Sequence, residues 1–255
     1  MKLHSNIIGE GKPFIILHGF LGMGDNWKTL AKKYNELGYQ VHLVDQRNHG
    51  RSPHSEEFSY TNLSDDLKEY CDTYNLQDII LLGHSMGGKT AMEFACSYPG
   101  LIKKLIIADI APKYYAPHHQ TILKSLQALD FTTITSRGDA ENTIKEYIKD
   151  AGTRLFLLKN LYRIEKTSFG LRINLKTLSE KVNEIGKALN DNAIFNGESL
   201  FIRGANSNYV LDSDWKQITT HFPKATLQTV SNASHWLHAE NPIDFFNYTS
   251  TFISN

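Results

Sequence analysis

Short runs of large apolar residues recur along this chain, and each runs into a glycine or a polar residue. Phe14–Leu17 leads into His18-Gly19, Val41–Val44 into Asp45, Ile79–Leu82 into Gly83 and Leu105–Ala108 into Asp109. Leu200–Ile202 and Leu227–Val230 repeat the pattern near Gly204 and Ser231. A strand with one face in water alternates apolar and polar residues. Continuous runs instead suit strands buried on both faces, as in a parallel sheet. Between the runs, apolar residues recur at helical spacing. Asn26–Leu37 carries Trp27, Leu30, Ala31 and Tyr34, and Tyr60–Tyr74 carries Leu63, Leu67 and Tyr70. Met86–Tyr98 carries Ala91, Phe94 and Ala95 and stops before Pro99-Gly100. Ser213–Phe222 and Pro242–Ile253 complete the set. Strand and helix in alternation imply an α/β, doubly wound, mostly parallel sheet.

One segment breaks the alternation. From Pro112 to about Ile194 the spacing is mostly helical, with a short strand-like piece at Phe169–Leu175. Strand-like sequence resumes at Leu200. The expected organisation is a core formed by residues 1–112 and 195–255, with a mainly helical cap inserted over 113–194.

Composition narrows the function classes. At 255 residues with 41% apolar content, the chain can bury a large core. Lys+Arg and Asp+Glu number 27 each, so no long-range field favours nucleic acid or an anionic membrane. The N-terminal stretch has no apolar core of a secretory signal, and no run is long enough to span a membrane. A cytoplasmic location is expected. The two cysteines, Cys71 and Cys96, lack metal-ligand spacing and read as reduced thiols. Neither a metal nor an organic cofactor is expected.

The chemistry centres on Gly83-His84-Ser85-Met86-Gly87, a G-x-S-x-G motif. Alone it is a weak signal. Here it follows an apolar run and opens a helical stretch, the strand–turn–helix setting that the motif requires. Such a turn lifts the serine hydroxyl above the sheet edge, and the helix start offers free N–H groups. Ser85 is the candidate nucleophile. Oxyanion stabilisation needs two amide donors. Met86, next after the serine, would supply one. The other would come from His18-Gly19-Phe20-Leu21-Gly22 after the first buried run, most directly from Phe20. His18 itself reads as a loop brace. The candidate base is His235, one of 11 histidines, singled out by its loop between the last strand and the last helix. His238 reads as structural.

HGFLG, DQRNHGRS (Asp45 to Ser52), GHSMGGK (Gly83 to Lys89) and the terminal SHWLHAE (Ser234 to Glu240) together resemble the α/β-hydrolase superfamily. The resemblance runs from Phe14 to Phe252 and is weakest in the cap. DQRNHGRS and IADIAP (Ile107 to Pro112) are most similar to the small bacterial carboxylesterases of the YbfF type. It implies Ser85 as nucleophile, His235 as base, and Phe20 and Met86 as oxyanion donors. The acid departs from the commonest pattern. Many relatives place Asp three residues after the glycine ending the penultimate strand, and that position here is Ser207. Asp109, ending the strand after the nucleophile helix, becomes the candidate acid. Asp212 and Asp214 are alternatives, although they also look like a helix-start signal. Asp45, Arg47, Asn48 and His49 either line the rim of the site or brace their loop, and bracing is favoured.

The expected activity is hydrolysis of short- to medium-chain esters or thioesters, with a small acyl ester as the substrate. A lyase or C–C bond hydrolase on the same fold, like the menaquinone-pathway synthase, is the first alternative. Ser207 counts against it, because that family generally uses the acid position that Ser207 occupies. A non-catalytic ligand receptor is the second.

Overall fold

Apolar residues that alternate between two opposite cores build the centre of this chain. The computed structural model describes residues 1–165 and 168–254. In the first half the elements are β1 (Ser5–Ile8), β2 (Lys12–Leu17), α1 (Lys28–Glu36), β3 (Tyr39–Val44), α2 (Tyr60–Thr73), β4 (Ile79–His84), α3 (Met86–Ser97) and β5 (Ile102–Ala108). An inserted segment follows, with α4 (Gln120–Gln127), α5 (Arg137–Tyr147), α6 (Ala151–Leu158), β6 (Leu161–Glu165), β7 (Ser168–Leu171), α7 (Leu175–Glu180) and α8 (Val182–Ile185). The core then resumes with β8 (Ser199–Gly204), α9 (Trp215–His221), β9 (Ala225–Val230), α10 (Leu237–Glu240) and α11 (Pro242–Ser254).

Seven strands form one sheet in the order β1-β3-β2-β4-β5-β8-β9, parallel throughout except for β1. Successive residues of a strand point to opposite faces. Ile15, Leu17, Leu81, Leu105 and Ile107 therefore join one core with Leu67, Tyr70 and Phe94 from α2 and α3. Phe14, Ile16, Ile80, Leu82 and Ile106 join the other, with Leu30, Ala31 and Tyr34 of α1 and Phe245 and Ile253 of α11. Both faces being covered explains the continuous apolar runs. The inserted segment makes a third core through Leu126, Ile144, Leu157 and Leu178. That core also takes in Phe20, Leu21 and Met86 from the strand ends below.

The structure adds one strand to the large sheet and changes two expectations. β1 is a half-exposed antiparallel edge strand whose polar start hides it from an apolar-run reading. β9 is also an edge strand, and it half-buries alternate residues rather than both faces, with Val230 alone fully buried. The strand-like piece at Phe169–Leu175 is shorter than expected. β7 ends at Leu171 and pairs antiparallel with β6, while Asn174 caps α7 by accepting a hydrogen bond from Thr177 N–H. The small sheet is largely solvated, so its pattern lacks the apolar density of the core strands. Among the described residues no helix is long and apolar enough to cross a membrane. Cys71 and Cys96 are free thiols, and burial pushes both up to about 12.

Candidate active site

Parallel pairing sends the C-terminal ends of β2, β3, β4, β5, β8 and β9 to one edge of the sheet. The segments after them carry His18, Asp45, Ser85, Asp109, Ser207 and His235. This edge is where open α/β sheets form their clefts.

Ser85 sits between β4 and α3 at φ 54° and ψ −118°, a region that side chains avoid at a cost of about 1–3 kcal/mol. Its surroundings hold it there. Its N–H donates to Ala108 O at 3.0 Å, and its carbonyl accepts from Lys89 N–H at 3.0 Å. Gly87 is required because a Cβ there would lie 2.5 Å from the carbonyl oxygens of both Leu17 and His18. Met86 opens α3, so its N–H has no acceptor within the helix. Neither it nor the Phe20 amide takes part in the described backbone hydrogen bonds. The neighbouring Leu21 N–H donates to His49 Nε2 at 3.1 Å.

His235 Nε2 lies 3.0 Å from Ser85 Oγ, and its Nδ1 lies 2.8 Å from Asp109 Oδ2. Gly204 lets this loop approach, since a Cβ there would come within 2.3 Å of Ser234 O. Asp109 is fully buried, at φ 49°. Its Oδ1 accepts from Gly204 N–H at 3.2 Å, and its Oδ2 also accepts from the Ser207 hydroxyl at 2.5 Å. The residue at the commoner acid position thus donates to the carboxylate that faces His235. Asp212 instead pairs with Arg203 at 2.7 Å and is 90% exposed. Asp214 pairs with Lys113 at 2.6 Å and accepts from Leu211 N–H at 2.8 Å. The structure brings Ser85, His235 and Asp109 together and leaves Asp212 and Asp214 elsewhere.

The polar loop after β3 is a brace. Asp45 accepts from Gly24 N–H at 2.7 Å and Arg51 N–H at 2.9 Å. Arg47 grips Asp66 through Nε and Nη2. Asn48 accepts from Ser55 N–H at 2.8 Å. His18 Nδ1–H donates to Gly19 O, and its Nε2 accepts from Gln46 N–H. His49 Nδ1–H likewise donates to Arg47 O. Burial lowers His18 to about 4 and His49 to about 3, which keeps both neutral, as the accepting nitrogen of each requires.

Two contacts on His235 lie outside the sequence reading. His84 Nε2–H donates to His235 O at 2.8 Å, and burial drives His84 well below the usual histidine range. Its place beside Ser85 in the motif was the available signal. The Tyr209 ring stacks on His235 at 3.7 Å between centroids, and no pattern in its loop announces that.

Ser85 and His235 stand at the base of a cavity of about 520 Å³, lined by Phe20, Trp27, Ile122, Phe156 and Trp236. Lys159 is the one Lys, Arg, Asp or Glu among the described residues lining it. Among the described residues no group of three or more His, Cys, Asp or Glu is placed to hold a metal ion. A hydroxyl hydrogen-bonded to an imidazole, itself bonded to a buried carboxylate, can lose its proton to that imidazole and act as a nucleophile.

The family model described as alpha/beta hydrolase fold matches residues 12–242. The sn-1-specific diacylglycerol lipase ABHD11 of Mus musculus is 36% identical, over 94% of this chain and 80% of that protein. Esterase YbfF of Escherichia coli is 30% identical, over 91% and 89%. A solved structure described as a marine microorganism esterase is 39% identical with a TM-score of 0.95, covering 98% of this chain and 99% of that one.

Proposed function

This chain belongs to the alpha/beta hydrolase family, among esterases and lipases, and on that premise we propose that it cleaves short- to medium-chain carboxylic esters or thioesters through an acyl-enzyme on Ser85. The observation that carries the reading is the unbroken contact from Ser85 Oγ through His235 to Asp109 at the base of an apolar cavity. His235 takes the Ser85 proton as Oγ attacks the ester carbonyl. The amides of Phe20 and Met86 hold the oxyanion. His235 then gives the proton to the leaving alcohol or thiol, the bond to it breaks, and the acyl group stays on Ser85. A water molecule, deprotonated by His235, releases the acid and restores the serine.

Asp109 holds the Nδ1–H tautomer of His235 and stabilises the imidazolium that forms. The Ser207 hydroxyl keeps that carboxylate turned toward the ring. The segment 113–194 serves as a cap over the site and limits access to it.

The test is an organophosphonate followed by peptide mapping, alongside a panel of p-nitrophenyl esters and acyl-CoA thioesters. A single label on Ser85 and a burst of p-nitrophenol are expected. A label elsewhere, or full activity after Ser85→Ala, refutes the assignment.

A further inference from the structure

Two spaces of very different size border Ser85. The larger is the cavity of about 520 Å³, and His235 lines it. The smaller, about 20 Å³, lies toward Met86, Ile110, Val182 and Ile185, and His235 is absent from its lining. Ser85, His118, His119 and Tyr209 border both. The two proposed oxyanion donors lie one at each, with Phe20 lining the larger space and Met86 the smaller.

The chemistry assigns the two halves of an ester to these spaces, an assignment that rests on the Ser85 acyl-enzyme reading. The leaving oxygen must receive its proton from His235 Nε2, so the alcohol occupies the side that His235 lines. The acyl substituent then points to the other side. A space of about 20 Å³ takes roughly one water-sized group, which is the methyl of an acetyl.

The walls around the small space resist widening. Tyr60 O–H donates to Ile185 O at 2.7 Å, and Tyr115 N–H donates to Gly186 O at 2.8 Å. Lys89 Nζ donates to Lys113 O at 2.5 Å and Lys187 O at 2.6 Å, tying together the two ends of the inserted segment. The larger space borders α6, whose Leu155 is 58% exposed. We propose that this protein is selective for acetyl esters of bulky, apolar alcohols, with acyl length limited by Ile185 and Val182.

The experiment compares kcat/KM for p-nitrophenyl acetate, butyrate and octanoate in the natural protein and in Ile185→Ala and Val182→Ala. Each methylene misfit in a closed apolar pocket is worth about tenfold or more. Acetate should therefore exceed butyrate by at least about tenfold, and octanoate by more. Either alanine variant should raise the butyrate-to-acetate ratio by about tenfold. Octanoate turned over as well as acetate, or acyl ratios unmoved by both folded variants, overturns the proposal. So does a protein that takes a phosphonate on Ser85 yet leaves acetate esters intact. In those outcomes labelled Ser85 preserves the nucleophile reading. An unlabelled Ser85 removes both.

Discussion

The strand ends beneath the cavity are strained and tied by polar bonds, whereas the inserted segment above it is relaxed and packs around an apolar core of its own. Leu21, Ser85 and Asp109 have positive φ at the site, and Asn48 has it in the loop that braces them. Among the described residues between Pro112 and Ser199 no non-glycine residue has positive φ. Buried bonds from Asp45, Arg47, His18 and His49 hold the lower region. The inserted segment leans on its own apolar core and a few polar ties, such as Asn160 Nδ2 to Leu21 O at 2.8 Å and Asn174 N to Asn48 O at 2.9 Å. Under the proposed function, the difference assigns the chemistry to the lower region and the selectivity to the upper one. Reacting groups need fixed angles, which a strained and over-bonded edge supplies. A substrate pocket needs shape, which apolar packing supplies and can vary.

Substitutions below the cavity should act on kcat. The largest effect is expected from Ser85→Ala, a fall of about 10⁵–10⁶ in kcat with folding little changed, read by ester turnover and circular dichroism. Asp109→Asn should follow, at roughly 10⁴. It keeps the shape but removes the charge and can donate to Nδ1, favouring the wrong tautomer. Asp212→Asn and Asp214→Asn should lose far less when compared at equal folded fraction. An inactive Asp214→Asn beside an active Asp109→Asn would move the acid to the other loop.

Above the cavity, Phe156→Ala should raise KM by about tenfold and leave kcat within about threefold, because it removes apolar contact shared by bound substrate and transition state. A collapse of kcat with unchanged KM would erase the contrast between the two regions.

The remaining effect is on stability rather than turnover, and it concerns the tie between them. Lys89 is 2% exposed, and burial together with Lys113 lowers it from 10.5 to about 7. The unfolded chain therefore binds a proton that the folded one does not between those values. Stability contributed by the neutral amine is present above pH 10.5 and is lost as pH falls toward about 7. Relative to Lys89→Met, the natural protein should gain up to about 1.4 kcal/mol per pH unit on going from pH 7 to 10, measured by urea midpoints. Parallel curves for the two proteins would show that the amine remains charged in the folded state.

Much of this was legible in the sequence because each signal was local. The run Ile79–Leu82 followed by Gly83-His84-Ser85 announced a buried strand and a tight turn within a few residues. The run ending at Asp109, and His235 placed between the last strand and the last helix, pointed to two more residues that the fold sets beside Ser85. β1 and β6 were not legible, because half-exposed edge strands carry no continuous apolar run. Nor were the stack of Tyr209 on His235 and the bond from Ser207 to Asp109, which join residues brought close by the parallel register of β5, β8 and β9.

The sequence by itself determined the alternation of the central strands with helices, the two-sided burial of those strands, and the turn that raises Ser85, since each depends on neighbouring residues. Tertiary structure alone decided that Asp109 rather than Asp212 or Asp214 meets His235. That choice depends on which loops the sheet brings to one edge. It also decided the size of the smaller space at Ser85, whose walls come from segments about 100 residues apart, Met86 on α3 and Val182 and Ile185 on α8. Distances of that kind are set by packing, and no local pattern of residue types encodes them.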